Sequence, residues 1–423
     1  MEDLNINYEH CGFSKEELLK HKDELSEVLK LINHAIEWEY ETDFASINLP
    51  FDNKMLEEVI SLAKNYKEIK NLIIIGIGGS NLGAWAVQEA IQGSFNNKIK
   101  VYYVDTINPE NIKYISEVIE KNKTKTLINV ITKSGTTVET IANFSILSKL
   151  VNNNKNIVVT TDKDTKLWSL AEKKGYPRLE IPKKVGGRYS VFSSVGLFPL
   201  AVLGLNIKEL LNGAKKMRDI CIKKEILNNP ASVCALALYL NYKQGYNICN
   251  NFIFEGELEV FGKWYKQLIS ESVSKERDVN NKLVHIGITP IVSIGSTDLH
   301  SMSQLFFGGP NDKFTFFVSV KEINTKLEVP KNKEFITLVP SIQGKDLSNI
   351  LSSIEKGTKL AYTKNALPFI EIVLPKKDEF FIGQLLQLKM IEVIYLSYLL
   401  KVNPFDQPAV EQYKQETRRF LEK

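Results

Sequence analysis

Residues 130–140, VITKSGTTVET, place Lys133 and Gly135 among the hydroxyls of Thr132, Ser134, Thr136, Thr137 and Thr140, between an apolar run and a helix-like segment. A monophosphate carries several acceptor oxygens around one centre, and a helix start bearing roughly half a unit of positive charge suits it. The lysine and hydroxyls therefore read as a phosphate seat, with an ordinary Ser/Thr helix cap at Thr137 as the plainer alternative. A second turn, IIIGIGGSNLGAWA, sets Gly76, Gly78, Gly79 and Ser80 between a strand and a helix, where unpaired N–H groups receive anions. It is not a dinucleotide fingerprint, because Asn81 stands where glycine is required, nor a P-loop, because Ala84 replaces its lysine.

Four further segments carry acid–base side chains. FGKWYKQLISESVSKE reads as a helix with Gln267 and Glu271 on one face, a carboxylate base beside an amide. On spacing alone, a solvated Glu271–Lys275 ion pair has the greater weight. GSTDLHSMSQ puts His300 with Asp298 and Ser301 after a strand, suited to proton transfer but more often structural. KKVGGRYS presents Arg188 after two glycines, where a guanidinium can stabilise an oxyanion, although a solvated arginine is the default. NPFDQPAVEQYK sets Lys414 on a helix face with Glu411 and Gln407, where a plain surface lysine is the default. No second His or Cys lies at metal-ligand spacing, so a bound metal is not expected.

These residues sit in a chain of 423 residues with 43% hydrophobic and 25% charged side chains, an ordinary globular balance sufficient for two or more cores. A net charge of +4 is too small to suggest a nucleic-acid or membrane-surface partner. The cysteines Cys11, Cys221, Cys234 and Cys249 have no CxxC spacing and read as free thiols. The longest apolar run noted, LFPLAVLGL, falls far short of the roughly 20 residues that span a bilayer, and the first residues lack an apolar leader segment. A cytoplasmic protein is expected.

Short β-rich runs (NLIIIGIGG, IKVYYVD, TLINVIT, NIVVTTD) alternate with helix-length segments, which implies a parallel sheet covered on both faces. A second alternating region contains NICNNFIF, PIVSIGS, KFTFFVSV and FIEIVLP. Ser14 and Glu17 form a capping-box pattern opening an N-terminal helical arm, and a long apolar helix breaks at Asn403 and Pro404 before a charged one. The expected organisation is a helical arm at 1–50, α/β units at 51–215 and 216–400, and a C-terminal helical segment at 401–423 carrying Lys414.

In their order along the chain, IGIGGSNLGAWA, KSGTTVET, VGGRYSVFSSVGLFPLAVLG, KQLISESVSK, STDLHSMSQ and NPFDQPAVEQYK resemble the motifs of the glucose-6-phosphate isomerase family in its compact bacterial form. The resemblance extends from about Gly76 to Lys414. It implies two sugar-isomerase (SIS) type three-layer αβα sandwich domains with mainly parallel sheets, plus N- and C-terminal helical arms. It further implies interconversion of glucose 6-phosphate and fructose 6-phosphate through ring opening and an enediol, without a cofactor. The family is typically a homodimer whose histidine comes from the neighbouring chain.

Carried over by that resemblance, Thr132, Lys133, Ser134, Gly135, Thr136 and Thr137 hold the phosphate with Gly79 and Ser80, and Gln267 binds substrate beside the base. His300 and Lys414 assist ring opening, Glu271 moves the proton between C1 and C2, and Arg188 offsets the charge that develops. Ser274 replaces the family's usual glycine, Val273 a typically polar residue, and Thr132 a frequent serine, whose hydroxyl it keeps. Two other readings are a dual glucose/mannose phosphate isomerase and a non-catalytic sugar-phosphate sensor on the same fold.

Overall fold

The computed structural model describes residues 3–93, 98–323 and 325–422. Five strands, β2 (Asn71–Ile75), β3 (Lys100–Val104), β4 (Thr126–Ile131), β5 (Ile157–Thr161) and β6 (Arg178–Glu180), form one sheet in the order β3-β2-β4-β5-β6. Every pairing in it is parallel. The second sheet runs β1 (Asn5–Asn7), β12 (Phe369–Lys376), β11 (Lys313–Glu322), β7 (Ile248–Ile253) and β10 (Thr289–Ile294). It is parallel except where β1 pairs antiparallel with β12. A small antiparallel hairpin joins β8 (Lys275–Arg277) to β9 (Leu283–Ile286).

The apolar runs become these strands because both faces of each sheet are covered, which favours continuous rather than alternating hydrophobicity. Along β2, Leu72 and Ile74 face a central core, while Ile73 and Ile75 face an outer one built with the helices Pro109–Lys121, Val138–Leu147 and Lys166–Lys174. Phe314 and Phe316 of β11 join the same central core, and Phe317 turns to an outer aromatic cluster with Phe252, Tyr362 and Phe369. Each sheet is thus the middle of an αβα sandwich, as expected. The helices Ile207–Cys221, Pro230–Lys243, Glu259–Val273 and Glu379–Leu399 all contribute to the core the two sheets share.

Helix Glu379–Leu399 is long and apolar enough to cross a membrane, but 94% of that stretch is buried within the molecule, so it serves as a core helix. Inside it, Lys389 and Glu392 form a fully buried ion pair at 2.7 Å, and Tyr265 donates its hydroxyl to Glu392 at 2.6 Å. This network fixes the helix Glu259–Val273, which carries Gln267 and Glu271, against the centre of the molecule. The Ser14–Glu17 capping box is present, but the N-terminal segment is not helical throughout. It contributes strand β1 to the second sheet, then helices Lys15–Leu19 and Lys22–Glu37, with Leu4, Cys11 and Leu18 in the common core. All four cysteines are free and buried.

Candidate active site

The first sheet reverses its winding between β2 and β4, since the chain passes from β2 outward to β3 and then returns across β2 to β4. Loops leaving the carboxyl ends of strands at such a switch point diverge and open a crevice. Here the loops are residues 76–80 and 132–137, the two glycine-bearing segments singled out in the sequence. They line a cavity of about 820 Å³ with Arg188, Gln267, Glu271 and the C-terminal helix Val410–Leu421.

In the loop 132–137, Gly135 has φ +67°, which a side chain adopts only with strain, and a Cβ there would approach Thr165 to 2.9 Å. Thr137 occupies the cap position of helix Val138–Leu147 but makes no side-chain cap bond; its hydroxyl instead meets that of Thr132 at 2.9 Å. The helix N–H groups are therefore not consumed by their own cap, and the simple cap reading does not describe this loop. Lys133 is half-buried, and burial lowers its pKa, with Asp162 acting in the opposite sense. Ser134 and Thr136 are exposed and joined only by long contacts of 3.3 Å. Gly79 and Ser80 both line the same cavity, and Gly79 is buried because residue 187 crosses it: a Cβ would lie 2.2 Å from the Gly187 carbonyl oxygen. Only glycine permits this crossing, which brings the arginine segment beside the first turn.

Arg188 is 2% exposed and engages its donors fully. Nε donates to Ser272 Oγ at 2.8 Å, one terminal nitrogen to Glu271 Oε2 at 3.1 Å and Gln407 Oε1 at 2.5 Å, and the other to the carbonyls of Pro404 at 2.5 Å and Asp406 at 3.1 Å. Glu271, 26% exposed, accepts from Gln267 Nε2 on its second oxygen at 2.9 Å. The carboxylate is held on both oxygens and open to the cavity on one side, which is the placement a general base needs. Among the described residues, Gln267 Oε1 is buried without a partner.

The solvated Glu271–Lys275 pair suggested by spacing is absent. Lys275 is buried, and its ammonium binds the Glu271 main-chain carbonyl at 2.6 Å and the Asp406 carbonyl at 2.9 Å. Burial, and then the neighbouring Arg188, depress its pKa to about 8. Gln407 does not share a helix face with Lys414, because the helix starts only at Val410; Gln407 reaches Arg188 from the preceding turn. Ser272 and Tyr189, whose hydroxyl meets Ser272 Oγ at 2.9 Å, had no acid–base signal in the sequence, and Lys275 showed only as a helical-spacing partner of Glu271. Ser274 has extended backbone, φ −87° and ψ 110°, so glycine is not required there. Gly287 leaves room for its side chain, since a Cβ at 287 would meet Ser274 Oγ at 2.7 Å.

Lys414 lines the cavity but pairs along its own helix with Glu411 at 2.8 Å. His300 lies outside the cavity, exposed on the short helix Thr297–Ser301. Asp298 does not orient it: its carboxylate is taken by Ile294 N–H at 2.6 Å and Ser301 Oγ at 2.8 Å.

Fold and cavity define an α/β protein with a hydroxyl- and lysine-bearing loop at a switch point and a carboxylate lining the same cavity. Residues 53–423 match the family model for phosphoglucose isomerase, and the chain belongs to that family. It is 34% identical to a probable glucose-6-phosphate isomerase of Methanococcus maripaludis, covering 96% of this chain and 90% of that one. It is 33% identical to glucose-6-phosphate isomerase of Fusobacterium nucleatum, covering 100% of this chain and 96% of the relative. Among solved structures, a hypothetical protein of Thermus thermophilus superposes with a TM-score of 0.91 at 30% identity, over 99% of both chains. A glucose-6-phosphate isomerase of Chlamydia trachomatis shares the fold, with a TM-score of 0.86 at 19% identity over 100% of this chain and 89% of that one.

Proposed function

We propose that the chain catalyses the reversible isomerisation of D-glucose 6-phosphate to D-fructose 6-phosphate, the aldose–ketose step of glycolysis and gluconeogenesis, and that residues 132–137 and Glu271 are the two ends of its site. The observation that carries the residue assignment is the presence, in one cavity, of a loop rich in anion donors and a carboxylate held on both oxygens by Arg188 and Gln267.

The phosphate binds the hydroxyls of Thr132, Ser134, Thr136 and Thr137, the free N–H groups at the start of helix Val138–Leu147 and the Lys133 ammonium, with Ser80 alongside. Binding energy at this non-reacting end positions the reacting carbons. With the ring open, the Glu271 carboxylate removes the proton on C2 of the aldose and returns it to C1 by way of an enediol, while the hydroxyl proton on O2 passes to O1 so that the aldehyde becomes a hydroxyl and C2 a ketone. As negative charge builds on the substrate oxygens, the Arg188 guanidinium stabilises it in a poorly solvated setting. All five of its N–H groups are already bound by protein acceptors, so Arg188 acts through its charge and through the placement of Glu271 rather than through a free donor. Lys414 assists at the ring oxygen from the C-terminal helix.

His300, outside the cavity of its own chain, serves ring opening in a second copy, and the working form is a homodimer. The exposed apolar side chains Leu327, Phe335 and Leu338 support a partner surface. The assignment extends to a cytoplasmic location and to a division into units at 51–215 and 216–400 flanked by the terminal segments. The test is purified protein with fructose 6-phosphate in EDTA, glucose 6-phosphate being followed by coupled reduction of NADP. Turnover is expected; an inactive preparation overturns the proposal.

A further inference from the structure

A helix ends with main-chain carbonyls that have no partner within it. In the helix Glu259–Val273, the carbonyl of Glu271 itself is one of these, and Lys275 takes it at 2.6 Å. The same ammonium donates to the Asp406 carbonyl at 2.9 Å and stands 3.4 Å from the Asp406 carboxylate, with its side chain 5% exposed. Arg188 grips the same turn through the Pro404 and Asp406 carbonyls, and meets both Glu271 and Gln407. Two buried cations thus share one short segment, and one of them binds the main chain of the base.

Lys275 is not among the residues lining the substrate cavity. It borders a separate cleft of about 950 Å³ on the other side of the turn, with Phe405, Asp406 and Pro408. Lys275 therefore acts on turnover through Glu271 and residues 406–407 rather than from the wall of the substrate cavity. Burying an ammonium is a costly way to close a helix end, since an apolar side chain avoids the desolvation. What the ammonium adds is direction, because its donors fix two carbonyls from distant segments.

We propose that Lys275 is a positioning residue of the isomerisation site, tying the main chain of Glu271 to the Asp406 turn so that the carboxylate and the Gln407 amide stay in register on Arg188. The proposal rests on the functional reading above.

The test measures kcat and KM for fructose 6-phosphate, with melting temperatures, on the full chain and its variants. A folded Lys275→Met variant is expected to lose about tenfold or more in kcat with KM within about threefold, since small misplacements of a reacting group are costly. Lys275→Ala is expected to regain part of that loss on addition of ethylammonium, which the adjoining cleft admits; a purely structural role gives no such rescue. Should neither lysine variant fold, Asp406→Ala carries the test, with kcat expected to fall about twofold to fivefold at unchanged KM, as for a modest shift of the same tie. An inactive wild type overturns the functional reading and this proposal together. An active wild type with kcat unchanged in the lysine variants, with kcat loss matched by KM and no amine rescue, or with kcat unchanged in Asp406→Ala overturns the positioning role alone.

Discussion

Loop 132–137 and the Glu271–Arg188 cluster line one cavity, and they spend their polar groups differently. In the loop, the Thr132 and Thr137 hydroxyls meet each other, the Ser134 hydroxyl meets only the N–H and hydroxyl of Thr136 among the described residues, and Thr137 makes no helix cap bond. In the cluster, Arg188 is bound by Ser272, Glu271, Gln407 and two main-chain carbonyls, and Lys275 closes the far side. An end that keeps donors free is built to take a ligand; an end whose donors are spent is built to hold one carboxylate still. Damage to the first should therefore appear in KM, and damage to the second in kcat and stability.

The largest effect is expected from Glu271→Gln, which keeps the shape but removes the base: kcat should fall about 10²- to 10⁴-fold with KM little changed. Normal turnover in steady-state assays of this variant would show that another group moves the proton. Next comes Arg188→Lys, which cannot reproduce the fork to Glu271, Gln407 and the two carbonyls. A fall in kcat of about 10²-fold is expected from misplacing the base, together with a lower melting temperature. Arg188→Ala, leaving Glu271 without its cation, should cost about 3 kcal/mol by denaturant unfolding, the lower end for a buried pair because Glu271 is partly exposed. Either variant melting like the wild type would refute a stabilising cluster.

At the other end, Lys133→Met should raise KM for fructose 6-phosphate about tenfold or more, as loss of a charge-assisted hydrogen bond to phosphate does. A change confined to kcat would collapse the distinction between the two ends. The smallest effect is expected at Ser274: glycine there should cost about 0.4–1 kcal/mol through chain entropy, with kcat unaffected. Gly287→Ala should destabilise the wild type more than it does the Ser274→Gly variant, because the crowding at Ser274 Oγ is then gone; equal melting shifts in both backgrounds would show that the two positions are uncoupled.

Much of this architecture is legible in the chain because hydrophobic runs report local burial. The eight β-rich runs became strands β2–β5, β7 and β10–β12, and the Ser14–Glu17 signal marked a real helix start. Strand β1 was missed because three residues have too little periodicity to show, and it gains its identity only by pairing with β12. The reading of Lys275 as a solvated partner failed for a related reason. Helical spacing states which side chains share a face, but not that the helix ends at Val273 and that Lys275 turns back beneath it onto main-chain carbonyls.

By itself, the sequence determined which chemical groups are available and in what local setting: two glycine-bearing turns after strands, a carboxylate and an amide four residues apart on a helix, and an ordered set of motifs that places the chain among phosphoglucose isomerases. The tertiary structure decided what those groups are worth. Glu271 and Gln407 lie 83 and 219 residues from Arg188, yet both touch its guanidinium, while His300, 29 residues beyond Glu271, is left outside the cavity. Charge interactions scale with distance through space and with exclusion of water, and neither is a property of separation along the chain.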